Sequence, residues 1–191
     1  SVIANAKVHG CPLGDIETAS YYIIVATAGH DTTSSTIAGG LQALIAHPAE
    51  MKKLKENPAL LNSAVDEMIR WVTPVQHFMR TATEDYVLRG KQIKAGQALS
   101  LLYLSGNRDD DVFPDPFSFK IDRDPNRHVA FGYGAHVCLR PPLAKMEIKA
   151  LITELLKRLD HIEQVGEGKR VQSVFVSGLK TLPVRYAIRA A

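Results

Sequence analysis

Residues 131–139 read Phe131-Gly132-Tyr133-Gly134-Ala135-His136-Val137-Cys138-Leu139. Two glycines in such a short span allow positive φ and let the backbone lie close to a flat ligand. Cys138 falls just before a segment of helical character, Pro142 to Leu159, with Leu143, Met146, Ala150, Leu151 and Leu155 expected on its apolar stripe. The first amide dipoles of a helix favour a thiolate over a thiol. One other cysteine exists, Cys11. Two thiols are too few for a small disulfide scaffold, so any special use of Cys138 is that of a single thiolate. Zinc is disfavoured, because one cysteine and scattered histidines lack its ligand spacing. A thiol hydrolase is disfavoured too, since His136 lies two residues away in the same loop and cannot easily face the sulfur.

Upstream of this loop, Asp15 to Ala46 reads as one long helix, free of internal proline and stopped by Pro48. Its centre, Ala28-Gly29-His30-Asp31-Thr32-Thr33-Ser34-Ser35-Thr36, then Gly39-Gly40, is a weak helix former and is expected to need burial. Ala49 to Glu56 and Asn62 to Val72 are shorter helices, ended by Asn57-Pro58 and Thr73-Pro74. Phe78 to Thr81, Tyr86 to Arg89 and Lys91 to Ile93 read as short strands, with Gly90 and Gly96 as turns. Leu99 to Leu104 is an apolar run of open type. Asn107 to Arg127, dense in Asp, Pro and Asn, reads as an ordered meander. Two short strands are expected around Ser177-Gly178 in the tail. The class is mainly α with small β elements.

The chain has 191 residues, 46% apolar and 23% charged, in the range of one ordinary globular unit. A net charge of +3 is too small to argue for nucleic acid. No run is long and uncharged enough to span a membrane, and no basic–apolar–small pattern marks a secretory signal. A cytoplasmic protein is expected.

The pattern from Phe131 through Gly132, Gly134 and His136 to Cys138 resembles the heme-binding loop of the cytochrome P450 family. Three further stretches resemble that family in its own order. Ala28-Gly29-His30-Asp31-Thr32-Thr33 is similar to its oxygen-activating helix, and Glu67-Met68-Ile69-Arg70 to its Glu-x-x-Arg helix. Asn107-Arg108-Asp109 and Phe113-Pro114-Asp115-Pro116 are similar to its meander. The likeness runs from Ser1-Val2-Ile3-Ala4-Asn5 to the tail. Arg127-His128, Trp71-Val72-Thr73-Pro74-Val75 and the stretch from Phe175 to Arg185 resemble the bacterial terpineol-hydroxylating branch.

The resemblance implies a single unit over residues 1–191, the C-terminal heme-binding part of the fold without its N-terminal half. It implies heme b (iron protoporphyrin IX) with Cys138 as the iron ligand. Ala28, Gly29, Phe131 and Gly132 would lie against the cofactor, and Arg80, His128 and His136 would hold its propionates. Asp31 and Thr32 would deliver protons to bound oxygen: a helical threonine hydroxyl can bond to a carbonyl one turn back and open a groove, and the carboxyl can relay protons through water. Glu67, Arg70 and Arg123 would form a buried network that holds the cysteine loop. Val75, Phe78 and Met79, with the turn near Val176-Ser177-Gly178, would line a substrate pocket. The implied reaction inserts one atom of O2 into a small apolar substrate, a terpenoid or aromatic hydrocarbon. A ferredoxin would supply electrons, and Arg140, Lys145 and Lys149 could attract such an acidic partner.

Two features depart from the family pattern. The length is about half the usual, which implies a large apolar face that pairs with an N-terminal half or a second copy. Cys138 is followed by Leu139-Arg140-Pro141-Pro142, where the family places Gly two residues after the cysteine. Two rival readings stay open on these grounds: a heme-free or inactive remnant serving as a fold or interaction module, and a heme carrier or sensor without turnover.

Overall fold

The computed structural model describes residues 4–189; Ser1-Val2-Ile3 of the opening that carries part of the resemblance lie outside the described residues. A short hairpin, β1 (Lys7–Val8) with β2 (Cys11–Pro12), turns on His9 and Gly10 at positive φ. Helix α1 then runs unbroken from Asp15 to Ala46. Pro48 ends it because its missing N–H and its ring suit the start of the next helix, α2 (Pro48–Glu56). A turn at Pro58–Leu60 leads into α3 (Leu61–Val72). Strand β3 (His77–Thr81), the hairpin β4 (Tyr86–Leu88) with β5 (Lys91–Ile93), and β6 (Ala98–Leu102) follow, and β6 returns antiparallel to β3. The open run 99–104 therefore resolves into a strand and a single-turn helix, α4 (Tyr103–Gly106).

Residues 107–133 contain no helix or strand. After them comes α5 (Pro141–Arg158), which passes directly into β7 (Leu159–Gln164). Strands β8 (Lys169–Arg170), β9 (Leu179–Thr181) and β10 (Val184–Ile188) complete the chain, with β10 paired to β7 and β9 to β8. The class is mainly helical, with five two-stranded sheets among the described residues.

The core sits where the C-terminal half of α1 meets α3 and α5. Leu44, Ala64, Val65, Met68 and Ile69 pack there with Phe119 and Ile121 of the meander and Ile148 and Ile152 of α5. Helices α1 and α3 approach closely because Gly39 and Gly40 present no side chain. A Cβ on Gly40 would lie 2.8 Å from Met68 Cγ and 3.1 Å from its Cβ. Gly40→Val is therefore expected to destabilise the chain by about 1–3 kcal/mol through overpacking. Gly29→Ala, where a Cβ meets nothing within 4 Å, is expected to stabilise it by up to about 1 kcal/mol. Thermal midpoints moving in opposite directions would check the pair.

Three expectations need correction. Burial reaches only the second part of the weak centre of α1: Tyr21 through Asp31 are all exposed, whereas Thr33, Thr36 and Gly40 are buried. The N-terminal half of the helix instead displays apolar side chains, with Ile16 80% and Ile23 63% exposed. On α5 the buried line is Ile148 and Ile152, whereas Leu143, Met146, Ala150 and Leu151 face outward. Strand β7 falls outside the expected elements, since its partner β10 lies some twenty residues further on.

Candidate functional site

The cysteine loop is shaped by its backbone. Gly132 and Gly134 both take φ 74°, a region that suits glycine because it has no Cβ. Gly132 N–H donates to Val129 O at 2.8 Å, and Val137 N–H to Gly134 O at 3.1 Å. Cys138 N–H then donates to Phe131 O at 2.8 Å, closing the loop on its first residue. The side chains of residues 133–140 are exposed, Tyr133 at 89% and Leu139 at 72%. Cys138 itself is exposed and free. It stands before the start of α5, but Pro141 and Pro142 occupy the first positions there. Neither has an N–H, so this helix end offers a nearby anion fewer amide donors than the expectation assumed.

Behind the loop lies a buried ionic network. Arg70 and Glu67 are both 0% exposed. Arg70 binds Glu67 through two parallel bonds, Nε to Oε2 and Nη2 to Oε1, each 2.7 Å. Its remaining donors reach Asn107 O, Pro116 O and Ser118 O. Arg123 Nε donates to Glu67 Oε2 at 3.1 Å, its Nη1 to Pro114 O, and its Nη2 to Asp115 O and Ser118 O. Lys120 N–H and Asn126 Nδ2 also donate to Glu67. Two guanidiniums and one carboxylate thus hold in place a segment with no regular structure of its own. Asn107, also fully buried, links the network to the loop: its Nδ2 donates to Thr73 Oγ1, and its Oδ1 accepts Val129 N–H at 2.7 Å. Arg108 spans the end of α3, donating to Arg70 O and Trp71 O over the Trp71 ring; burial holds its guanidinium below the usual arginine value, and Arg70 nearby adds to this.

Of the expected propionate contacts, His136 is exposed on the loop, and Arg80, half-buried on β3, donates to Met79 O. His128 is buried, and its Nδ1 has no hydrogen-bond partner within the protein. Its side chain is 6% exposed, with Nε2 3.5 Å from Asp66 Oδ1, and its ring packs on Phe131. Lys145 also pairs with Asp66, so it is not a free cation for an acidic partner as the sequence suggested. Burial tends to raise the Asp66 carboxyl, but bonds from His128 and Lys145 outweigh it and hold the group below the usual carboxylate range.

On α1, Thr32 Oγ1 donates to Ala28 O at 2.8 Å without breaking the helix. Asp31 Oδ1 lies 2.9 Å from Nδ1 of His30, a residue to which the sequence assigned no role. Of the expected pocket residues, Phe78 packs edge-on against Tyr103 and Phe175, and Met79 is exposed beside it. Val75 bridges to Val176, and Ser177 N–H donates to Pro74 O, so the tail turn is tied to the lead-in of β3. Tyr103 also connects these residues to the loop, since its hydroxyl would lie 3.5 Å from a Cβ on Gly132.

Sequence reasoning missed Asp66, Tyr103 and Phe175 as neighbours of the site. Asp66 adjoins Glu67 in sequence, but its partners come from 62 and 79 residues downstream (128 − 66 and 145 − 66). Asn107 lay inside a quoted motif, and its burial was the missing information.

Comparison with known proteins agrees with this geometry. The family model for cytochrome P450 matches residues 3–188. The chain is 45% identical over 186 residues to cytochrome P450-terp of a Pseudomonas species, covering 97% of this chain and 44% of that protein. It is 37% identical to a steroid C26-monooxygenase of Mycolicibacterium smegmatis, covering 96% and 46%. The crystal structure of CYP108D1 from Novosphingobium aromaticivorans superposes with a TM-score of 0.94 at 50% identity, covering 98% of this chain and 46% of that one. The chain thus spans about half the length of the relatives it matches. With the cysteine loop, the Glu67–Arg70–Arg123 network and the meander all in place, it belongs to the cytochrome P450 family.

Proposed function

We propose that this chain is the heme-carrying part of a heme-thiolate monooxygenase that inserts one atom of O2 into a small apolar substrate, a terpenoid or aromatic hydrocarbon. The observation that carries the reading is the exposed Cys138 sulfur on a loop flattened by Gly132 and Gly134. The surroundings fit the heme b that family members bind. A Cβ on Gly134 or on Gly29 would meet nothing within 4 Å, and apolar Tyr133, Val137 and Leu139 stand exposed around the sulfur. Cys138 would hold the iron, and Arg80, His128 and His136 the propionates. When bound, heme supplies the oxygen-activating chemistry, which a thiolate ligand promotes by donating electron density.

The protein's own part is to place protons and substrate. Because Thr32 Oγ donates to Ala28 O, its lone pairs remain free to accept a bond from a water. Asp31, exposed and steadied by His30, would pass protons from solvent toward that hydroxyl. Val75, Phe78 and Met79, with Phe175 beside Phe78, would offer an apolar surface to the substrate. A ferredoxin is the proposed electron source. The exposed apolar half of α1 and the outward stripe of α5 are proposed to be covered by a polypeptide matching the rest of the relatives' length, or failing that by a second copy. No helix among the described residues is long and apolar enough to cross a membrane, which supports a cytoplasmic place of action.

Pro141 and Pro142 favour a second reading, an inactive remnant, because they remove amide donors beside the sulfur. One spectrum separates the two. The purified chain, supplied with heme, reduced and exposed to carbon monoxide, is expected to show the long-wavelength Soret band of thiolate-ligated heme. Cys138→Ala is expected to abolish that band, while Cys11→Ala leaves it unchanged. A short-wavelength band, or none, in the parent chain supports the remnant.

A further inference from the structure

A second charged cluster adjoins the Glu67 network. Asp66 on α3 pairs with Lys145 on α5 and lies 3.5 Å from His128 Nε2. The two partners meet again on one ring: His128 packs on Phe131 with centroids 5.6 Å apart, and Lys145 Nζ lies 5.9 Å from the Phe131 centroid. His128 Nδ1 and Asp66 Oδ1 are both buried without a hydrogen-bond partner in the protein, so the imidazole is held by its ion-pair distance to Asp66 and by packing on the Phe131 ring. Phe131 is the half-buried residue that opens the cysteine loop, and its carbonyl accepts the Cys138 amide. Since residues 133–140 are all exposed, this ring is the loop's side-chain attachment to the core.

We propose that Asp66, His128 and Lys145 form a clamp on the Phe131 ring that positions Cys138. They are positioning residues, acting through Phe131. A carboxylate on α3 forms ion pairs with a histidine from the meander and a lysine from α5, and those two meet the ring from different elements. The face of an aromatic ring attracts a nearby cation, which gives Lys145 a directional hold that an apolar side chain lacks. The consequence for catalysis rests on the reading of Cys138 as iron ligand; the clamp itself does not.

The test is amide hydrogen exchange on the heme-free 191-residue chain, read at Cys138 and across α1, α3 and α5. Lys145→Met is expected to speed exchange of the Cys138 amide about tenfold while protection in α1 and α3 stays unchanged, because only the loop opens. Lys145→Arg should restore the parent rate. If Lys145→Met fails to fold, Phe131→Leu, which keeps an apolar side chain but removes the ring, should give the same local acceleration. Parent-like exchange at Cys138 in the folded variant would overturn the clamp, as would acceleration spread evenly over α3 and α5. A heme-thiolate band in the parent together with unchanged exchange in the variants would retain the functional reading and remove the clamp. The converse pattern would retain the clamp and remove the functional reading.

Discussion

Arg70→Met is expected to lower stability by about 3–5 kcal/mol or more, the range for removing one partner of a buried ion pair. Five hydrogen bonds disappear, and three carbonyls, at Asn107, Pro116 and Ser118, lose a donor in the interior. Glu67, fully buried, is left with Arg123, Asn126 and one backbone amide. Because a domain of this kind is stable by about 5–15 kcal/mol, most of the variant should collect in the insoluble fraction, and any soluble remainder should unfold at much lower urea. Arg70→Lys should fare little better: a lysine keeps the charge but cannot reproduce the two-pronged bond or reach three carbonyls at once. A loss under about 1 kcal/mol, the scale of an exposed pair, would show that the network is not what organises the meander.

Asn107→Leu is expected to be the next most damaging change, by about 2–4 kcal/mol, because it leaves buried hydrogen-bonding groups unpaired. Leucine is close to asparagine in size, so the effect isolates polarity from volume. The Thr73 hydroxyl loses its donor from Asn107 but still donates to Arg70 O. Val129 N–H has no such second partner and is left without the Asn107 oxygen. Since Val129 O in turn accepts Gly132 N–H, the disturbance should pass into the cysteine loop. Thermal unfolding would measure the loss, and exchange at the Val129 amide would place it. An unchanged midpoint would mean that water replaces the lost bonds at little cost.

The helices were legible because proline marks their ends: Pro48, Pro58 and Pro74 stand at or just beyond helix ends. The strands between 77 and 93 were legible from glycine turns and β-forming residues, whereas β6 was left open. The apolar face of α5 was not. Its sequence offers two stripes, and choosing between them depends on which neighbours the helix has; Ile148 and Ile152 won because they join the core shared with α1 and α3. Strand β7 was hidden for a related reason, since Leu159 to Gln164 lacks strict alternation and is a strand by virtue of its pairing with β10. Within the site, Glu67 and Arg70 were readable as neighbours from helical spacing. Their third partner, Arg123, came from family resemblance. The carbonyls that absorb most of the arginine donors carry no sequence signal, because every residue has one. The Asp66 clamp was out of reach because it exists only where two helices and the end of the meander converge.

The way the meander is held also bears on how this sequence can change over time. Substitutions on its outward side chains leave the bonds to Arg70 and Arg123 intact, since those bonds go to main-chain oxygens at 107, 114, 115, 116 and 118. Insertion or deletion of a single residue between Asn107 and Arg123 is different: it would shift several of those oxygens out of register at once. This stretch should therefore vary in composition but not in length among descendants. Length differences should gather instead at the Arg89-Gly90 turn of the β4–β5 hairpin, where the neighbouring side chains are exposed and an added residue displaces nothing but solvent.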